Sequence, residues 1–325
     1  MNNKKQRLIF LSGASHSGTT LTAMLIGAHP NLCCVGELMT PKLGENERYL
    51  CSCKTLLEDC SFWAGVSENM AKRGHEFSIS NAKTDIRTNA SPYVLKLLKP
   101  LVRSPSIELI RDSLLSLSPA WRRQLPKLMQ RNADYVSSIL EQTGAEAVVD
   151  SSKIGTRLKY LLKNENIDVQ VIWVVRDGRG VSLAYTNPSQ YADAKDPKLR
   201  GGGSGETQEK GRGITAAARE WVRSNEETEA LLATMPKDKW IKVHYEDICN
   251  STEKTLNKIY EFIGVDPDKK RLDFKTVEHH VVGNGMRLDS SEEIKIDDQW
   301  KTKLTAEELN EFNVVAGDYL RSMGY

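Results

Sequence analysis

Residues 8–21 read LIFLSGASHSGTTL, and this stretch decides the fold. A short apolar run meets a turn rich in glycine and serine, and the pattern predicts that a helix begins just after the turn. In such a strand–loop–helix arrangement, the N–H groups of the loop and of the helix N-terminus point towards an anion. The stretch therefore predicts a phosphate-binding loop, with a glycine turn that binds nothing as the simpler alternative.

The loop almost matches the nucleoside-triphosphate motif G-x-x-x-x-G-K-[ST]. Gly13 and Gly18 have the required separation, but Thr19 occupies the position of the lysine. In nucleoside triphosphatases that lysine contacts the β- and γ-phosphates. The loop is therefore predicted to bind an anion other than ATP or GTP. A nucleotide kinase or a P-loop nucleotide-binding protein is the alternative, but no clear strand with a magnesium-binding acidic residue follows, and Asp150 after Val148 and Val149 is the only imitation of one.

A second apolar run, VQVIWVV at 169–175, indicates a parallel strand buried on both faces. Arg176 follows the run, and a turn containing glycine then leads into a helix. Ligands of open α/β sheets bind outside the carboxyl ends of the strands, so Arg176 and the first loop are expected on one edge. A guanidinium there suits a second phosphate. The two sites predict a nucleotide phosphorylated at two positions; an ion pair of Arg176 with Asp177 or Asp150 is the alternative.

Four segments resemble the sulfotransferases that use 3′-phosphoadenylyl sulfate (PAPS), most closely the tyrosylprotein, carbohydrate and bacterial branch. They are SHSGTTLTAMLIGAHPNLCCVGE (15–37), VVDSSK (148–153), VVRDGRGV (174–181) and VHYEDI (243–248). Their order is similar to that of the 5′-phosphosulfate loop, the central strand, the 3′-phosphate strand and the Tyr-Glu-Asp strand of the family. The resemblance implies a P-loop-NTPase-like α/β fold, with three α/β/α layers, a central parallel sheet and a helical insertion.

The resemblance also implies a reaction. A sulfuryl group moves by in-line displacement from PAPS to a hydroxyl or amine of a carbohydrate, lipid or small-molecule acceptor, and 3′,5′-diphosphoadenosine (PAP) is left. No metal is required for such a transfer, because positioning and charge stabilisation carry the catalysis. A catalytically inactive binding protein of the same fold is a further alternative. His16 stands where the family has Arg or Lys, and Ala184 stands where it has Ser.

Three residues are predicted to carry the chemistry. Glu37 matches the catalytic glutamate of the tyrosylprotein branch and would take the proton of the acceptor. His16 would donate to the sulfuryl group or act as the base instead, since the ordinary pKa of histidine is close to neutrality. Lys153 would stabilise the oxygen that leaves with the nucleotide.

A larger set is predicted to bind the nucleotide. Arg176 is assigned to the 3′-phosphate, with Ser182 as a weaker candidate because it lies two residues before the family position. Tyr245 is predicted to stack on the adenine. In relatives, the segment that contains Asn284 and Arg287 closes over the nucleotide. The loop residues in this set are Ser15, His16, Ser17, Gly18, Thr19 and Thr20.

Composition limits the partners of the protein. The net charge of +2 is too small to predict a nucleic-acid partner. No apolar run approaches the roughly 20 residues of a membrane span, and the apolar patch near the N-terminus is only a strand long. We therefore expect a cytoplasmic enzyme. The whole chain, 1–325, is expected to form one sulfotransferase-like domain with a mostly helical insertion at about 41–144 and a flexible loop at about 187–213. The sequence does not decide between a monomer and a homodimer.

The predicted elements after the insertion alternate between strands and helices. The strands are Ala147–Asp150, Val169–Val175 and Trp240–Tyr245, and the helices are Gly155–Lys163, Arg179–Tyr185, Ile214–Thr234, Ser251–Ile263 and Ala306–Met323. Within the insertion, proline is expected to break the helices. These breaks are predicted at Pro100, Pro105, Pro119 and Pro126.

Three of the six cysteines lie in CSCKTLLEDC, residues 51–60. Three thiolates can hold zinc, but the usual C-x2-C spacing and an obvious fourth ligand are missing from the sequence. A disulfide is disfavoured in a reducing cytosol. Free structural thiols are the first expectation for Cys51, Cys53 and Cys60, and a disulfide or a metal clip is the second.

Overall fold

The computed structural model describes residues 5–39, 49–99, 105–186, 212–277, 279–283, 285–288 and 293–325. Its centre is a sheet of five parallel strands in the order β2-β3-β1-β4-β5. These strands are β1 (Gln6–Ser12), β2 (Leu32–Gly36), β3 (Ala147–Lys153), β4 (Ile167–Val175) and β5 (Trp240–His244). The predicted α/β fold with a central parallel sheet is confirmed.

Helices cover the sheet and fill the segment between β2 and β3. They are α1 (Thr19–Gly27), α2 (Ser61–Lys72), α3 (Pro92–Leu97), α4 (Pro105–Leu117), α5 (Pro119–Thr143), α6 (Gly155–Leu162), α7 (Gly178–Thr186), α8 (Ile214–Leu232), α9 (Tyr245–Asn250), α10 (Thr252–Ile263), α11 (Trp300–Lys303) and α12 (Ala306–Ser322). None of these described helices combines the length and the apolar character that crossing a membrane requires.

Alternating side chains of the strands form two apolar layers. On β4, Val171 and Trp173 belong to one layer, whereas Ile172 and Val174 belong to the other. The first layer includes side chains of α5, α8 and α12, and the second includes side chains of α1 and α10. Because both faces of the sheet are covered, the central strands β1 and β4 contain continuous apolar runs, LIFL and VIWVV.

Two expectations about boundaries are wrong. Pro126 does not break a helix: it lies inside the 25-residue helix α5. The buried side chains of Trp121 and Leu128 lie on either side of it, and their packing offsets the loss of one N–H donor, which costs about 3 kcal/mol in an isolated helix. Tyr245 does not end β5 but begins α9.

The carboxyl edge of the sheet also extends further than predicted. β3 continues past Asp150 to Lys153, because Lys153 pairs with Ser12 of β1 after a shift in register. Most of the predicted flexible loop, residues 187–211, and the start of the predicted insertion, residues 40–48, lie outside the described residues. The remaining helix and strand boundaries agree with the predicted ones within about two residues, the usual uncertainty of such ends.

Candidate active site

The loop that joins β1 to α1 is shaped by two glycines. Gly13 has a φ of 143°, and a Cβ there would come within 2.4 Å of the Val174 carbonyl oxygen. Gly18 has a φ of 82° and is the N-cap of α1, where no side chain caps the helix. The first N–H groups of α1 are therefore available to a ligand. This is the geometry of an anion-binding loop.

Two buried serine hydroxyls lack a hydrogen-bond partner among the described residues. One is Ser17 Oγ in the loop, and the other is Ser182 Oγ in α7. Both side chains are fully buried. Buried hydroxyls normally have a partner, so the two groups fit the oxygen atoms of a bound phosphate. Both hydroxyls are therefore candidate hydrogen-bond partners of a bound anion.

Arg176 connects the loop with the C-terminal part of the chain. It directly follows β4 and is 5% exposed. Its Nη1 donates to the His16 carbonyl oxygen at 2.9 Å. Its Nη2 donates to the Asp297 carbonyl oxygen at 2.6 Å and pairs with the carboxylate of the same residue at 2.9 Å. The ion-pair partner is thus Asp297, whereas the two carboxylates considered from the sequence pair with other arginines.

Tyr245 packs against both the loop and Arg176. A Cβ on Gly18 would come within 2.3 Å of the Tyr245 ring, so only glycine fits there. The guanidinium carbon of Arg176 lies 4.7 Å from the ring centre. The Tyr245 hydroxyl accepts a hydrogen bond from the Asp297 N–H at 3.1 Å. These contacts place Tyr245 at the candidate nucleotide site; stacking of adenine on its ring stays a prediction.

Glu37 and Lys153 form an ion pair at the carboxyl edge of the sheet. Glu37 follows β2, and Lys153 ends β3 with a φ of 64°. Lys153 Nζ donates to Glu37 Oε1 at 2.5 Å, and the two side chains are 11% and 20% exposed, respectively. The Glu37 N–H donates to the Val282 carbonyl oxygen at 3.1 Å. The candidate base and the candidate cation for the leaving oxygen are therefore direct neighbours.

His16 lies among cations. Its ring packs edge-on against Tyr185, with 5.0 Å between the ring centres. Burial, followed by the charges of Lys153, Arg176 and Arg212, lowers the pKa of His16 to about 3. A pKa near neutrality was expected from the sequence, where the burial of the His16 ring could not be seen. The imidazole is thus neutral at physiological pH, so it can donate one hydrogen bond but is a weak base.

A cavity of about 420 Å³ opens beside the loop and Lys153. Gly13 and Ser15 line one side, and Leu95 and Leu98 contribute apolar surface. The cations in its lining are Arg87, Lys99, Lys153, Arg212 and Arg223. A larger cavity of about 790 Å³ lies between α4, α6 and α8, but none of the predicted site residues lines it. The smaller cavity is therefore the one that adjoins the candidate chemistry.

Asp150 is unsuited to binding magnesium. Its side chain is 0% exposed, and Oδ2 accepts a hydrogen bond from Arg157 Nε at 2.8 Å. Oδ1 accepts hydrogen bonds from the N–H groups of Ser152 at 2.9 Å and Leu38 at 3.2 Å. A magnesium-binding aspartate needs an oxygen open to the ion and its water ligands. Asp150 therefore does not supply the magnesium ligand that a nucleotide kinase needs.

The predicted closing segment is only partly described. Arg287 is 3% exposed; its Nε and Nη2 donate to the Leu50 carbonyl oxygen at 3.1 and 3.0 Å, and its Nη1 donates to the Gly283 carbonyl oxygen at 2.5 Å. These bonds fasten the segment to residue 50, and a contact of Arg287 with the nucleotide stays a prediction. Asn284 lies outside the described residues.

Sequence reasoning missed two residues of interest. Asp297 pairs with Arg176, and its only signal was its place in the acidic stretch IDDQW of the closing segment. His280 Nδ1 lies 3.3 Å from Cys60 Sγ and supplies the fourth candidate ligand that the cysteine segment lacked. No local pattern could have found it, because 220 residues separate His280 from Cys60.

The parallel sheet, the glycine loop between β1 and α1 and the arginine after β4 define a protein of the P-loop-like class. A family model described as the sulfotransferase family matches residues 8–269. The chain therefore belongs to the sulfotransferase family and is a transferase enzyme. The resemblance found in the sequence is confirmed. No protein with a curated description matches the sequence significantly.

Solved structures of sulfotransferases resemble the chain at low sequence identity. The sulfotransferase domain of the Synechococcus PCC 7002 olefin synthase is 17% identical with a TM-score of 0.46, covering 98% of this chain and 96% of that one. The sulfotransferase domain of the curacin biosynthetic pathway is 15% identical with a TM-score of 0.47, covering 97% and 98%. A sulfotransferase from Mycobacterium avium is 12% identical with a TM-score of 0.48, covering 99% and 77%.

Proposed function

We propose that this enzyme transfers the sulfuryl group of PAPS to a hydroxyl or amine of a carbohydrate, lipid or small-molecule acceptor. The observation that carries the proposal is the hydrogen bond from Arg176 Nη1 to the His16 carbonyl oxygen at 2.9 Å. This bond holds the Arg176 guanidinium beside the loop between β1 and α1. A cation for one phosphate group and the loop N–H groups for another are therefore neighbours, as a nucleotide with two phosphorylated positions requires. Membership of the sulfotransferase family supports PAPS as this nucleotide.

The protein offers binding groups for both the 5′-phosphosulfate and the 3′-phosphate of the donor. The loop N–H groups, the N-terminus of α1 and the buried Ser17 hydroxyl suit the 5′-phosphosulfate. Arg176 suits the 3′-phosphate, and the unpartnered Ser182 hydroxyl supports the same part of the site. Since Arg176 already pairs with Asp297, a 3′-phosphate must replace that carboxylate or share the guanidinium with it.

The transfer step uses Glu37 and Lys153. The acceptor oxygen or nitrogen forms a bond to sulfur while the bond between sulfur and the bridging oxygen breaks, and PAP leaves with that oxygen. The acceptor proton goes to the Glu37 carboxylate, and the Lys153 ammonium stabilises the negative charge that develops on the bridging oxygen. In-line transfer puts the acceptor atom and the leaving oxygen on opposite sides of sulfur, so the 2.5 Å ion pair of Glu37 and Lys153 must open for both side chains to act.

The acceptor is proposed to enter the cavity of about 420 Å³ beside Lys153. The charge of this cavity is partly balanced, because Arg223 and Arg212 both pair with Glu220. The charge of the cavity therefore does not select one acceptor class. The side chains of Leu95 and Leu98 add an apolar surface that suits a partly apolar acceptor.

Thermal unfolding with nucleotides tests the donor. PAP at about 100 times its Kd should raise Tm by about 4 °C without magnesium, since a ligand that binds only the native state adds about 2.7 kcal/mol. Mg-ATP should stabilise the protein far less. Arg176→Ala should weaken the binding of PAP much more than the binding of AMP, because AMP has no 3′-phosphate. Arg179→Ala is the matched control, because Arg179 pairs with Asp177 instead.

Transfer of radiolabelled sulfate from PAPS to a panel of hydroxyl and amine acceptors tests the reaction. Equal or stronger stabilisation by Mg-ATP contradicts the proposed donor. Tight PAP binding without transfer to any acceptor, and without slow hydrolysis of PAPS, supports an inactive binding protein of this fold instead.

A further inference from the structure

Four side chains that the proposed transfer does not use converge in one place. They are Cys51, Cys53, Cys60 and His280, and their ligand atoms all lie within 4.8 Å of one another. Cys60 Sγ lies 3.7 Å from Cys53 Sγ and 3.8 Å from Cys51 Sγ. His280 Nδ1 lies 3.3 Å from Cys60 Sγ and 3.8 Å from Cys51 Sγ.

Four of the six separations between these ligand atoms are close to the edges of a metal-centred tetrahedron. With Zn–S bonds of about 2.3 Å and Zn–N bonds of about 2.0 Å, the ligand atoms of tetrahedral zinc lie roughly 3.5–3.8 Å apart. A disulfide would need two sulfur atoms at about 2.05 Å, so it does not fit the same arrangement. We propose that Cys51, Cys53, Cys60 and His280 bind one structural zinc ion.

Zinc is the metal that this donor set selects. Three thiolates and one imidazole form a closed structural set with no position left for a substrate. Zinc is bound by thiolates, so the three cysteines give up their protons when the ion binds.

Neighbouring groups hold the ligands in place. The Phe62 ring stacks on the His280 ring, with 4.4 Å between centres and 1° between planes, and fixes the direction of the imidazole. A tight turn contains Cys51 and Cys53. In it, the Lys54 N–H donates to the Cys51 carbonyl oxygen at 2.9 Å, and the Cys51 N–H donates to the Thr55 carbonyl oxygen at 3.0 Å. Such orienting contacts are typical of built metal sites.

The zinc site ties the cysteine segment to the backbone that holds Glu37. Two residues after His280, the Val282 carbonyl oxygen accepts the Glu37 N–H at 3.1 Å. The Ser52 hydroxyl binds the same segment, donating to the His279 carbonyl oxygen at 2.6 Å. The metal ion therefore helps to hold the backbone of Glu37, the candidate base, in position, and it takes no part in the transfer itself.

Metal analysis of the full-length protein tests the site without nucleotide or acceptor. Protein purified under reducing conditions without chelator should contain about one zinc ion per chain by mass spectrometry. Cys60→Ser and His280→Ala should lower this content to below about 0.1. Cys249→Ser and His75→Ala are the matched controls and should keep it, because these residues lie outside the cluster.

Wild-type protein provides a second measurement, in case the variants fold poorly. Zinc removed with a chelator and replaced by cobalt(II) should give the intense visible absorption of tetrahedral thiolate-bound cobalt. Full-length protein that binds PAP but holds no stoichiometric zinc overturns the proposal, and so does a Cys53–Cys60 disulfide found by peptide mapping. Since PAP binding is measured separately, failure of the zinc site is distinguishable from failure of the proposed transfer.

Discussion

Substitution of the Glu37–Lys153 pair separates the catalytic roles of the two side chains from their structural roles. Glu37→Gln keeps the shape and the reach towards Lys153 but cannot take a proton at neutral pH. If Glu37 is the base, kcat should fall by about 10²–10⁴, which corresponds to about 3–5 kcal/mol of activation free energy. PAP affinity should hardly change, because the carboxylate contacts Lys153 and not the phosphate loop.

The structure also sets the cost in stability. Both side chains are mostly buried and 2.5 Å apart, so Lys153→Met leaves a partly buried carboxylate without its partner. The expected loss is about 1–3 kcal/mol, below the value for a fully buried pair because some water reaches Glu37. The double variant Glu37→Gln/Lys153→Met should recover part of this loss, since no charge is then left unpaired.

Three measurements on the same variants check the reasoning: Tm, PAP affinity by calorimetry, and transfer of radiolabelled sulfate to the acceptor found in the panel. Glu141→Gln, which alters an ion pair with Arg73 outside the site, is the control. His16→Ala should lower both PAP affinity and rate, because a neutral imidazole acts as a hydrogen-bond donor. Near wild-type turnover of Glu37→Gln refutes the assignment of Glu37 as the base. Lost turnover with intact PAP binding of His16→Ala then assigns that role to His16.

Three further outcomes are expected. Gly18→Ala should cost about 2–4 kcal/mol and weaken PAP binding, because its φ is positive and its Cβ would meet the Tyr245 ring; unchanged melting contradicts this. Asp150→Asn should destabilise the protein by about 3–5 kcal/mol in denaturant unfolding, since Arg157 loses its buried partner. The pKa of His16 is lowered from 6.5 to about 3, so the unfolded state binds more protons between these values. Stability should fall from pH 6.5 towards 3 by about 5 kcal/mol at most, and His16→Asn should flatten this part of the pH profile.

The sequence predicted the parts of the molecule that depend on neighbours in the chain. β1, the glycine loop and α1 follow from one continuous stretch, and the apolar run of β4 predicts both the strand and the place of Arg176 at its end. Parallel topology then puts the carboxyl ends of the strands on one edge. The sequence could therefore predict that Glu37 and Lys153 lie at the same edge of the sheet, but it could not predict their direct contact.

Contacts between distant parts of the chain were beyond local reasoning. Asp297 lies 121 residues from Arg176, and no periodic pattern connects them. The pKa of His16 depends first on the burial of its ring and then on cations from three other segments, so an ordinary value was the natural expectation. Pro126 was misread for a similar reason, because the penalty of a proline is local whereas the packing that offsets it is tertiary.

The central place of β1 in the sheet affects how the protein is made. Leu8 pairs with Val148, which emerges from the ribosome 140 residues later. At about 5–20 residues per second, β1 waits roughly 7 to 28 s for its first neighbour. During this time both hydrogen-bonding edges of an apolar strand are uncovered, and such edges promote association between nascent chains. Yield in a foreign host should therefore depend on early chaperone capture more than on the stability of the finished enzyme.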